Sequence, residues 1–151
     1  MILAAAVGFF GGVAFMVLVM VWFFRNQMVQ TFESKYDFEE TIKRAEAAIK
    51  KSQWGIPGQH DVNAMTAKNG FNLNSRVHII ELCKPEYAKY VLDEQPHFAA
   101  MMPCSLGIYE EDGKVKISKL NTGMMGKFLG GTVKTIMGKI GREEHAIVKD
   151  M

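Results

Sequence analysis

The stretch HFAAMMPCSLGIYEEDGKVKI, residues 97–117, places His97, Met101, Met102 and Cys104 just ahead of a hairpin signal. Thiolate, thioether and imidazole are the donors that select a soft ion such as Cu(I). The other cysteine, Cys83, ends the β-branched run VHIIELC, residues 77–83. Strand alternation puts Val77, Ile79, Glu81 and Cys83 on one face, with His78, Ile80 and Leu82 on the other. Each cysteine sits at a strand end beside a proline, one at a C-terminal end and one at an N-terminal start. In neighbouring antiparallel strands those ends meet. Their α-carbons are therefore expected within about 7 Å, the limit for bridging without backbone movement.

Three readings of these residues stay open. Cys83 and Cys104 form a redox or disulfide pair; or they bind a copper ion, with His97, Met101 and Met102 completing the shell; or they fill the core. In the first two, Glu81 tunes a thiolate or takes a proton. The third needs no cofactor, because free cysteine is among the most buried residue types. Eleven methionines in the chain also make Met101-Met102 unsurprising. The cysteine spacing is neither a zinc ribbon nor CxxC. There is no Ser/His/Asp set, phosphate loop or zincin motif, and Glu110-Glu111-Asp112 belongs to a solvated turn. No catalytic residue is nominated, and an enzyme is not expected. A net charge of +2 without a dense basic and aromatic stretch argues against nucleic acid.

The elements that must position these residues start with an uncharged segment. All 18 basic and 16 acidic residues lie in residues 25–151. MILAAAVGFFGGVAFMVLVMVWFF, residues 1–24, reads as an uncleaved transmembrane anchor, with Trp22, Phe23 and Phe24 as an interfacial belt. It lacks the basic n-region and cleavage site of a signal peptide. A single-pass protein of the cell membrane is expected, with the bilayer as a partner. Arg25, Lys35, Lys43 and Arg44 lean its soluble domain towards the cytoplasm. Ala4, Gly8 and Gly12 recur at small-xxx-small spacing, which lets helix backbones pair closely.

A linker over 25–31 leads to an α+β domain over 32–120. FESKY reads as a strand. Asp37 caps a helix over 38–52 with Glu40 in capping-box spacing, and Phe38, Ile42, Ala45 and Ile49 share one face. Glu39/Lys43 and Glu46/Lys50 are i,i+4 pairs on the outside. After Pro57-Gly58, Asp61 caps a short helix that Asn69-Gly70 stops. The strand 77–83 follows, then a helix from Pro85 interrupted by Pro96. CSLGIYE and KVKIS flank the turn Glu111-Asp112-Gly113, with glycine where positive φ is needed.

Residues 121–151 read as an amphipathic helical tail. Lys127, Lys134 and Lys139 gather opposite Met124, Phe128, Val133, Ile136 and Met137. Six glycines between 123 and 141 weaken a free helix at roughly 1 kcal/mol each. Packing on the domain or on a second copy is therefore favoured over a membrane interface.

The residues E81-L-C-K-P85, A88, L92, P96, M102-P-C104 and Y109-E-E-D-G-K-V115, with the capped YDFEETIKRAEAAIKK helix, resemble the domain-of-unknown-function family numbered 302. The likeness covers residues 32–140. It implies a small domain with helices on one face of an antiparallel sheet, often dimeric, with no established activity. Cys83 and Cys104 make the chain similar to a cysteine-bearing branch, although Ser105 stands where that branch often has arginine. The function expected is a membrane-anchored, non-catalytic interaction module, self-associating or an accessory subunit of a membrane protein complex. The alternative is thiol-redox or copper handling through Cys83 and Cys104.

Overall fold

The computed structural model describes residues 2–149 and 151, with residues 2–7 and 25 described in their backbone only. Helix α1, Ile2–Gln27, precedes strand β1, Val29–Glu33. Helix and strand thus almost meet where a linker over 25–31 was expected.

The transmembrane anchor expected over residues 1–24 is corrected. Among the described residues, no helix is long and apolar enough to cross a membrane. The single-pass placement in a cell membrane, and the topology argued from it, fall with the anchor. Met1 and the side chains of Ala4 and Arg25 lie outside what is described.

The α+β expectation holds for the rest. The elements are α2 (Phe38–Lys51), β2 (Gln59–Asp61), α3 (Val62–Ala67), β3 (Val77–Leu82), α4 (Pro85–Glu94), β4 (Cys104–Glu111), β5 (Lys114–Leu120), α5 (Thr122–Lys127) and α6 (Gly131–Lys149). A 3₁₀ turn, Pro96–Met101, joins α4 to β4. The sheet is antiparallel in the order β1-β5-β4-β3-β2. Ile80, Leu106 and Lys119 lie side by side across three strands, as do Ile108, Ile117 and Phe32. This face carries Ile80, Leu82, Leu106, Ile108 and Ile117, all fully buried. They join one core with Ala45 and Ile49 of α2, Val91 of α4, and Val133, Met137 and Ile140 of α6.

Local chemistry explains the boundaries. Asp37 accepts the Glu40 amide at 2.8 Å. The other half of the capping box does not form, because the Glu40 carboxylate takes Arg44 instead. Glu39 likewise leaves Lys43 for Arg76 across the fold. Asp61 caps α3 through the Ala64 amide at 3.0 Å. In the β4–β5 hairpin Asp112 and Gly113 have φ of 53° and 73°. Two positive φ values in a two-residue loop match the right-handed twist of the flanking strands.

The tail packs on the domain. Phe128 ends α5 and Gly131, with φ of 60°, starts α6, so the expected single helix is a tight hairpin. Its apolar face is mostly as expected: Met124, Val133, Ile136 and Met137 are buried. Phe128 instead points outwards and stacks on Phe24 of α1, ring centroids 6.0 Å apart.

Candidate functional site

The two cysteines come together because β3 ends where β4 begins. The register pairs Leu82 with Cys104, so Cys83 lies one residue past the last pair. Gly55 fixes it there by two backbone hydrogen bonds of 2.8 and 3.0 Å. Pro85 opens α4 directly afterwards. On the other strand, a cis Met102–Pro103 bond leads from the 3₁₀ turn into Cys104. Both cysteines are free and partly buried, and both line one small hollow of about 20 Å³ with Trp54, Tyr87 and Met102. Cys104 also lines a second, largely enclosed cavity of about 90 Å³, with Met101, Met102, Met125, Met137 and Glu144.

Helix α6 supplies two neighbouring carboxylates to this region. Glu143 accepts hydrogen bonds from Trp54 Nε1 at 2.8 Å, from Lys84 Nζ at 3.0 Å and from the Tyr87 hydroxyl. Burial works to raise its pKa, but the bonds from Tyr87, Trp54 and Lys84 together outweigh that and hold the carboxyl below its ordinary value. Glu144 is 2% exposed. Its Oε2 accepts from Thr122 Oγ1 at 2.9 Å and from Lys119 Nζ at 3.4 Å. Lys119 is itself 4% exposed, so this ion pair belongs to the interior.

The thiols are held protonated. Burial pushes the Cys83 thiol up. Burial also pushes Cys104 up, and more strongly, reinforced by the charge and hydrogen bonding of Glu144 and by the neighbouring Cys83. A nucleophile must be a thiolate, so burial works against an attacking role for either cysteine.

The remaining nominated residues separate from this centre. His97 is exposed, with its ring against Phe98 at 4.7 Å, and lines neither cavity. Glu81 turns to the other face of the sheet and pairs with His60 Nε2 at 3.0 Å. The carboxylate beside Cys104 is Glu144 instead. Among the described residues, no group of three or more His, Cys, Asp or Glu is placed to hold a metal ion. Gly8 and Gly12 lie on α1 with open space where a Cβ would stand.

Comparison with known proteins fits this architecture. The profile of a family described as "Domain of unknown function DUF302" matches residues 30–149. The chain belongs to the DUF302 family. A solved structure described as an uncharacterized conserved protein DUF302 from Bacillus stearothermophilus is similar, with a TM-score of 0.75 and 27% identity. The match covers 82% of this chain and 97% of that one. A comparison with curated proteins finds no match. The DUF302 profile spans both cysteines, Lys119 and Glu144, so the sulfur-lined cavity and its buried ion pair lie inside the family domain.

Proposed function

We propose that this DUF302 protein is a non-catalytic association module in which α1 packs against α1 of further copies. The observation that supports this is the surface of α1. From Gly8 to Phe24 every described side chain is exposed, including Phe9, Phe10, Phe15, Leu18 and Trp22. A helix that is apolar all round is stable when it is covered all round. The stack of Phe24 on Phe128 covers one end only. Copies of the same helix supply matching surface on every side, and the open Cβ positions of Gly8 and Gly12 admit a close backbone. Sedimentation equilibrium on the full-length protein tests this. An oligomer that Gly12→Ile weakens is expected; a full-length protein that stays monomeric at high concentration overturns the proposal.

A second reading, in which Cys83 and Cys104 mark a cysteine-bearing branch and act as a thiol pair, is supported by their sharing one hollow. Titration of thiols in unfolded protein, with and without prior reductant, checks it. Two reactive thiols without reductant in protein isolated under air would remove it.

A further inference from the structure

The cavity of about 90 Å³ is walled by an unusual concentration of sulfur: Met101, Met102, Cys104, Met125 and Met137 all line it. The geometry points to a binding site for a soft monovalent cation, Cu(I), held by methionine thioethers with the Cys104 sulfur. This set differs from the one read along the sequence, because it omits His97 and Cys83 and gains two methionines from α5 and α6.

The class of ion follows from the donors. Hard cations take oxygen ligands, and the one carboxylate among the cavity's lining residues, Glu144, already accepts from Thr122 and Lys119. Thioethers and thiolates select Cu(I), which needs neither water nor charged oxygen in its shell. Methionine has three rotatable bonds, so sulfurs on four separate side chains can converge without backbone movement. Room for them exists, since the volume amounts to about six water-sized spheres.

Charge also balances. Lys119 and Glu144 already cancel each other, so a bare cation would leave one uncompensated charge inside the domain. When Cu(I) bonds to the Cys104 sulfur, the S–H bond breaks and its proton leaves to solvent. One positive charge enters and one departs, and copper keeps its oxidation state. A coordinating thiol loses its proton to the metal even where burial alone would keep it.

The test is anaerobic competition between full-length protein and a chromophoric Cu(I) chelator, followed by X-ray absorption of the loaded protein. One Cu(I) per chain in an all-sulfur shell is expected, with one proton released per ion in weakly buffered solution. Met125→Leu and Met137→Leu should each weaken binding about tenfold or more, by analogy with the loss of supporting groups around other metals. Cys104→Ser should abolish the proton release. Cys83→Ser and His97→Ala should bind as the parent does. A Met102→Leu, Met125→Leu, Met137→Leu protein that keeps its circular dichroism and binds Cu(I) undiminished would overturn the proposal. So would a nitrogen ligand in the absorption spectrum, or equal losses from Cys83→Ser and Cys104→Ser.

Discussion

Lys119 and Glu144 meet at 3.4 Å in an otherwise apolar interior, and each stands at a position where periodicity calls for a hydrophobe. Lys119 follows Val115 and Ile117 on one face of β5. Glu144 follows Ile136 and Ile140 and precedes Val148 on one face of α6. Opposite charges on two apolar stripes are a signal the sequence carries, and pairing them points to Glu144 as the carboxylate near Cys104. Proximity along the chain points instead to Glu81, which strand alternation sends to the opposite face. Removing one member of a buried pair leaves an uncompensated charge, so Glu144→Ala should lose about 3–5 kcal/mol in urea unfolding. The double change Lys119→Met, Glu144→Leu should lose less than Glu144→Ala alone; a larger loss would mean that the unpaired lysine does not govern the effect. Glu143 makes a pH-dependent contribution. Its folded pKa lies below the ordinary 4.5, so its stabilisation is present above that value and lost as pH falls through the folded one. The stability gap between the parent and Glu143→Gln should therefore be full at pH 7 and close in acid. A gap that persists unchanged at pH 3 would refute that assignment.

Among the secondary-structure elements, α2, β3, α4 and the β4–β5 hairpin were legible because each has local punctuation: Asp37, Pro85, Pro96 and Asp112-Gly113. The turn that splits the tail was not. Glycines at 126, 130, 131, 138 and 141 blur helical periodicity, and those at 126 and 141 serve a close approach of α5 to α6 that no local window contains. A Cβ on Gly141 would meet the Gly123 backbone nitrogen at 2.6 Å, whereas one on Gly138 would meet only the Arg142 guanidinium at 3.7 Å. Gly141→Ala should consequently force α5 away from α6 and cost on the order of 1–3 kcal/mol. Gly138→Ala should stabilise by up to about 1 kcal/mol through helix propensity. Thermal melts of the two variants give opposite signs on this argument. If Gly141→Ala melts no lower than the parent, the close approach of the two helices is wrong.

Helix α1 and the DUF302 domain are separable in their physics. The core is assembled from α2, α4, α6 and the sheet, while α1 meets the domain through the Phe24–Phe128 stack and backbone contacts near β1. Asn121 Nδ2 donates to the Gln27 carbonyl at 3.0 Å, and the Asn121 amide donates to that of Met28 at 2.8 Å. The solved relative is matched over 97% of its own length by 82% of this chain, so a folded unit of domain size stands by itself in that protein. Along the sequence, the uncharged N-terminal run points to a bilayer, because apolar length is the only signal available and says nothing of what covers the surface. The proposed self-association would assign that surface to other copies, and it makes a joint demand on a chain beginning at Met28. Such a chain should lose only the helical circular dichroism of α1 and keep the melting temperature of the parent, since no described side chain of α1 is buried, and it should sediment as a smaller species. Unfolding of the truncated chain would show α1 to be part of the core. Should it fold and retain the parent's oligomeric state, the contact would belong to the domain, and the exposed face of α1 would not be what holds the copies together.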